Sequence, residues 1–305
     1  MVSQPDRGRG RGRKWTPSPV AARALERGVP LLRPERVGEP EIVERLRGHA
    51  PDTGVVVAFG QFIPKCVREL PRLGYLINAH ASLLPRHRGA SPIAAAILAG
   101  DEKTGISVMR VERAMDSGAV ALVRETPIDP RENTEELGRR LAGLAAEAIL
   151  EVLEQMAAGT IAWTDQDERL VSVAPKLEKR DGRLDWREST RALIRRIHAL
   201  APRPGAYTEL PATAGQAADV LRILRAEAGR RPHAPSAAPG TLYVGRGDDP
   251  HALEIATGDG WLAATELQRS GGRPMPAADL LRGFRLAPGA VLGDAAAAEV
   301  GAGHE

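Results

Sequence analysis

The sequence predicts an α/β domain built on a mostly parallel sheet, followed by a small β-barrel. Three observations predict this. A chain of 305 residues is long for one compact core, because domains usually run to about 100–200 residues. Up to residue 158, short β-branched runs alternate with helical patterns, as βαβ units require. Beyond Pro202 the chain becomes rich in Pro, Gly and short β-type runs, which suits a small barrel.

Bulk properties narrow the function classes. Hydrophobic residues make up 43% and charged residues 27% of the chain, an ordinary globular composition. No apolar run approaches the ~20 residues of a membrane span, so no membrane association is expected. The N-terminal MVSQPDRGRGRGRK is basic but no apolar segment follows it. It is therefore no secretory signal, and a cytoplasmic location is expected. Cys66 is the only cysteine, which excludes an internal disulfide and a cysteine-cluster metal site; its apolar neighbourhood predicts a small buried residue without a role. The net charge of +3 is modest, but Arg7, Arg9, Arg11, Arg13 and Lys14 lie close together among glycines against the single anion Asp6.

Taken in order, the elements follow from local signals. Ser18, Pro19 and Gly28 supply a hydroxyl cap, a first-turn proline and a glycine stop, which predicts a helix over residues 19–27. An apolar run at 29–32, a helix near 40–47 and a strand at 55–57 come next. Then follow a helix from Pro64, a strand at 75–79, a helix at 92–99 and strands at 106–111 and 120–125. Asn133 and Glu136 have capping-box spacing, and the stripe Leu137, Leu141, Leu144, Ala148 and Leu153 carries a long helix to residue 158. A charged stretch, KLEKRDGRLDW, precedes a helix at 190–200. Strands are expected at 206–210, 220–225, 240–244, 253–256 and 261–267, with a frayed tail after residue 292.

The segment NAHASLLPRHRGASP begins where the 75–79 strand ends, and ligands of parallel sheets bind at the carboxyl ends of strands. Asn78 and His80 stand two apart and face the same side. One donates an amide hydrogen bond and the other donates or exchanges a proton, as a developing oxyanion needs. Alone, such a pair is more often structural. Ser82-Leu83-Leu84-Pro85 forms an apolar turn with free backbone groups, able to hold a flat heteroaromatic ligand or merely to anchor a loop. Asp116 lies in AMDSGA, where Gly118 permits a turn. The six other histidines, His87 among them, belong to no such constellation.

Together, N-x-H-x-S-L-L-P-x-x-R-G and the later D-S-G resemble the formyltransferases that use 10-formyltetrahydrofolate. QPDRGRGRGRKWTPSPV, APKL at 174–177, PRPGAYTEL at 202–210 and LQRSGGRPMPAADLLRG at 267–283 resemble the methionyl-tRNA branch of that family. The similarity runs from residue 3 to about 292.

This resemblance implies a Rossmann-like catalytic domain over 1–158, a linker over 159–178, an OB-like tRNA-binding domain over 179–296 and a tail over 297–305. It implies that Asn78 and His80 hold the formyl oxygen while Asp116 sets the charge and orientation of His80. Ser82, Leu83, Leu84 and Pro85 would line the folate pocket, with Gly60 and Gln61 beside it. Arg11 would reach the tRNA acceptor stem, with Arg7, Arg13 and Lys14 on phosphates. The implied co-substrate is 10-formyltetrahydrofolate, without metal, and the implied partner is initiator methionyl-tRNA bound by a monomer. The family places a strand, a glycine turn and a helix ahead of the QPD block, so a natural start upstream of Met1 is expected. Ala114 and Ala119 stand where relatives usually carry glycine and proline. Two alternatives remain at this stage. A relative that formylates a glycinamide nucleotide or sugar amine would share the catalytic trio without the Arg-Gly loop. A non-catalytic RNA-binding module would need only the basic loop and a barrel.

Overall fold

The computed structural model describes residues 1–9, 14–210, 219–232, 237–245, 249–284 and 286–293. Its first elements are β1 (Arg7–Arg9), β2 (Lys14–Thr16), α1 (Pro19–Glu26), α2 (Pro40–Arg47), β3 (Val55–Val56), α3 (Lys65–Arg68) and β4 (Ile77–His80). Next come β5 (Arg88–Gly89), α4 (Pro92–Ala99), β6 (Lys103–Arg110), β7 (Val120–Pro127), α5 (Thr134–Ala158) and β8 (Val173–Ala174). The rest are α6 (Thr190–Leu200), β9 (Ala206–Leu210), β10 (Asp219–Ala228), β11 (Leu242–Val244), β12 (Leu253–Ala256), β13 (Trp261–Arg269), β14 (Met275–Pro276) and α7 (Ala277–Gly283). Tail residues 297–305 lie outside the described residues.

The chain divides into two compact units. The first gathers Met1–Arg88, Gly105–Arg124 and Leu144–Ser172; the second gathers Gly89–Thr104, Glu125–Gly143 and Val173–Glu305. In the first unit the described sheet runs β3-β4-β6-β7. β3 and β4 pair in parallel while β4 and β6 pair antiparallel. The sheet is therefore mixed, not mostly parallel. Alternating helices and strands announce crossovers, but strand order and direction depend on pairings between distant segments that no local pattern encodes. Val2 forms a parallel bridge to Leu32. A small core of Val37, Val43, Val67 and Leu76 lies beside the sheet. Cys66 is exposed, against the sequence expectation. α3 is a single turn that buries Val67 alone, so its neighbour points outward.

Capping chemistry places the helices. The Ser18 hydroxyl accepts from Ala21 N at 3.1 Å ahead of α1. Asn133 Oδ1 accepts from Glu136 N at 3.0 Å while Glu136 Oε2 accepts from Asn133 N at 3.0 Å, so the capping box is complete. Along α5 the buried residues are Leu137, Leu141, Ala145, Ala148 and Val152, steps of three and four that keep one face inward.

In the second unit an antiparallel sheet runs β11-β12-β13-β10-β9, with β14 paired to β13. Among the described residues the edge strands β11 and β9 do not meet, so the sheet curls into a half-barrel instead of the expected closed barrel. Helix α6 contributes Leu193, Ile197 and Leu200 to the cluster that holds Leu221, Ile223, Leu253, Ile255 and Leu262. A helix that covers the apolar face removes the need for the strands to close on themselves.

His198 on α6 is buried within this unit. Its Nδ1 lies 3.1 Å from the Pro130 carbonyl, an acceptor only, so Nδ1 carries the proton. Nε2 then accepts from Ala226 N at 3.4 Å. Burial pushes the His198 pKa below the usual histidine value. An unfolded histidine titrates near ~6.5, so below that pH the unfolded chain takes up a proton that the folded chain refuses. This contribution to stability is present above ~6.5 and is lost as pH falls toward the depressed folded value. Urea midpoints at pH 7.5 and 5.5 are expected to drop more for the native protein than for His198→Gln; equal drops contradict the assignment.

Candidate active site

Strand β4 ends in Asn78, Ala79 and His80, flanked by β3 and β6, with Asn78 opposite Val56 and Met109 and His80 opposite Ser107. Strand alternation sends Asn78 and His80 to one face. His80 is buried. Its Nε2 lies 2.9 Å from the His87 carbonyl oxygen. A carbonyl only accepts, so Nε2 bears the proton and donates it. Nδ1 is thereby directed to the Asp116 carboxylate, with 3.6 Å to Oδ2. The structure thus brings His80 and Asp116 together and places Asn78 two positions away on the same strand. Among the described residues the Asn78 side chain makes no hydrogen bond, which leaves its amide free for a ligand oxygen.

Asp116 sits in the loop between β6 and β7 with φ +51°, the left-handed region that Asp tolerates better than most residues. Gly118 is needed for space and not for a positive φ: a Cβ there would lie 2.0 Å from the Arg110 carbonyl oxygen. Arg110 is itself held, its guanidinium 4.4 Å from the ring centres of both Tyr75 and Trp163. Those rings meet edge to face at 5.5 Å. At the far end of the loop, Val120 and Thr164 exchange backbone hydrogen bonds of 2.8 and 2.9 Å.

The SLLP turn is secured by Ser107, whose hydroxyl donates to Ser82 O at 2.7 Å and accepts from Leu84 N at 3.1 Å. Ser82 is fully buried and its own hydroxyl donates to Arg86 O at 2.6 Å. Leu83, Leu84 and Pro85 are half-buried, an apolar edge one turn beyond His80. Gly60 is exposed with φ +74°. The Gln61 amide is engaged at both ends, accepting from Val37 N at 2.9 Å and donating to Pro34 O at 3.1 Å, so it fixes the loop.

Of the basic residues, Arg7 lies on β1 with Nη2 3.3 Å from Gln4 Oε1. Lys14 opens β2, whereas Arg11 and Arg13 lie outside the described residues. Sequence reasoning gave no role to Ser107, Arg110 or Gln166, and it quoted Arg88 only inside the motif. Gln166 donates to the carbonyls of Asp116 and Gly118, and Arg88 holds Gln166 and Glu168. The Arg88 guanidinium keeps the Glu168 carboxyl below its usual pKa. Among the described residues no group of His, Cys, Asp and Glu is placed to hold a metal ion, and no helix is long and apolar enough to cross a membrane.

A family model described as Formyl transferase matches residues 1–153, and one described as Formyl transferase, C-terminal domain, matches residues 176–285. The chain belongs to the formyl transferase family. Among its relatives, a methionyl-tRNA formyltransferase of Thermus thermophilus is 43% identical over 96% of this chain and 90% of its own length. One from Citrifermentans bemidjiense is 39% identical over 96% of this chain and 88% of its own. The fold resembles HypX from Aquifex aeolicus in complex with tetrahydrofolic acid, with TM-score 0.62 and 22% identity; the match covers 87% of this chain and 45% of that one. It also resembles WlaRD, a sugar 3N-formyl transferase, with TM-score 0.59, 14% identity and coverage of 86% and 85%. Within this family fold, replacement of Gly118 by Ala is expected to force the loop off Arg110 and lower stability by about 1–3 kcal/mol, the usual cost of overpacking. An unchanged urea midpoint for Gly118→Ala would rule out the close approach.

Proposed function

We propose that this protein transfers the formyl group of 10-formyltetrahydrofolate to the amino group of methionyl initiator tRNA, with Asn78, His80 and Asp116 as the reacting constellation. One observation carries the proposal. The buried histidine at the end of β4 has Nε2 committed to a backbone carbonyl and Nδ1 turned to a carboxylate, beside the Asn78 amide, whose side chain makes no hydrogen bond among the described residues. The relatives' shared name selects the acceptor.

The folate supplies the formyl carbon. When an amine attacks that carbon, negative charge gathers on the formyl oxygen and positive charge on the nitrogen. The Asn78 amide, and His80 Nδ1 when it carries a proton, donate to the oxygen. The Asp116 carboxylate accepts the proton that the amine sheds, and that proton passes to the departing folate nitrogen as its bond to the formyl carbon breaks, leaving tetrahydrofolate and the formylated amine. Leu83, Leu84 and Pro85 offer apolar contact and backbone groups to the flat pterin, and Gly60 and Gln61 shape the neighbouring loop. The arginine-rich loop, with Arg7, Arg11, Arg13 and Lys14, takes the acceptor stem by phosphate contacts. In this reading residues 1–158 catalyse, 159–178 connect and 179–296 form an OB-like surface for tRNA. The protein acts in the cytoplasm as a monomer without a metal.

Steady-state formylation of charged initiator tRNA tests these roles. His80→Ala and Asn78→Ala are each expected to lower kcat on the order of 100–1000-fold, the usual cost of one oxyanion donor. Arg11→Ala is expected to raise KM for tRNA and flatten its salt dependence while kcat holds. Near-native turnover by His80→Ala would sink the proposal.

A further inference from the structure

Two partners orient His80, and they come from different loops. The His87 carbonyl lies at the end of the SLLP segment, whereas the Asp116 carboxylate lies between β6 and β7. A single side chain, about fifty residues from Asp116 in sequence, is bonded toward both. Gln166 Nε2 donates to Asp116 O and to Gly118 O, each at 2.8 Å. Its Oε1 accepts from Arg88 Nε at 3.0 Å and Arg88 Nη2 at 2.8 Å. Arg88 directly follows His87, and both are tied to Ser172: His87 N donates to its hydroxyl and Arg88 N to its carbonyl, each at 2.9 Å. Glu168 holds the other side of the buried Arg88 guanidinium.

We propose that Gln166, backed by Arg88, is a positioning residue that clasps the two loops and sets the spacing between His80 and its partners. The proposal rests on the catalytic assignment of His80 and Asp116. The chemistry of the primary amide explains the residue type. Both N–H groups of Gln166 are spent on the Asp116 loop and both lone-pair directions of its oxygen on Arg88, so every polar valence is used. Glutamate has the length and the acceptor but no donor, and asparagine is one carbon short. A small displacement of a catalytic group is costly, about 100-fold for ~1 Å.

The test uses the full-length protein. Gln166→Glu keeps the partner for Arg88, so it is expected to fold, with a Tm lowered by a few degrees through the loss of both N–H donors. We expect kcat to fall on the order of 10–100-fold with KM for both substrates unchanged. Gln166→Ala should lose kcat in the same way and lower Tm further, because the buried Arg88 loses its acceptor as well. In an Asp116→Asn background the same change is expected to cost almost nothing further, since clasp and carboxylate act through one another. Independently of activity, the His80 Nε2–H proton, observed by NMR, should exchange with solvent faster in Gln166→Glu. Native kcat in Gln166→Glu, a loss confined to KM, or a fully multiplicative loss with Asp116→Asn overturns the clasp. Native turnover by His80→Ala overturns the catalytic assignment instead, so the two failures are distinct.

Discussion

An imidazole carries two nitrogens with different roles, and here the His87 carbonyl, 2.9 Å away, claims one of them. That hydrogen bond fixes the ring plane and the tautomer together. Everything else in the site follows from what remains: a single nitrogen, Nδ1, facing one carboxylate. Had the carbonyl stood elsewhere, the ring could rotate or exchange tautomers, and Asp116 would have no defined group to act upon.

The fold makes this arrangement repeatable by placing it at a strand end and not on a free loop. β4 is flanked on both sides in the described sheet, so the backbone at Asn78 and His80 has little freedom. Ser107 stands opposite His80 on β6 and uses its hydroxyl to hold Ser82 and Leu84. One register therefore aligns the His80 imidazole and the apolar edge formed by Leu83, Leu84 and Pro85. A slip by one residue would turn both away, because side chains alternate along a strand.

What was legible in the sequence, and what was not, divides along the range of the interactions. Helices α1 and α5 could be read from a serine cap, a first-turn proline, a capping box and an apolar stripe, because caps and stripes act within a few residues. Asn78 and His80 stood out only as two polar residues, two apart, at a strand end, a pattern more often structural until the SLLP motif follows it. Asp116 was a common turn by itself and became a site residue only through the family resemblance. Gln166 was invisible, since its four bonds reach segments far along the chain and nothing in DQDERL marks it. The expected parallel sheet became mixed and the expected barrel a half-barrel because alternation of elements says nothing of which edges pair. Cys66 was misjudged from its apolar neighbours, when the one-turn α3 buries only Val67.

The Asp116 loop shows how these long-range bonds and the chemistry are linked. Its left-handed backbone at Asp116 costs about 1 kcal/mol or more relative to an unstrained residue. Within the loop the Ser117 hydroxyl donates to Ala114 O at 3.1 Å. Two hydrogen bonds from Gln166 at 2.8 Å, each worth about 1 kcal/mol net, are sufficient to offset that strain. The Arg110 stack and the Val120–Thr164 bridge then fix the two ends. Balanced in this way, the strained loop holds the carboxylate toward His80. The strain is therefore coupled to the candidate site: any change that releases Gln166 frees the backbone and the Asp116–His80 geometry at once.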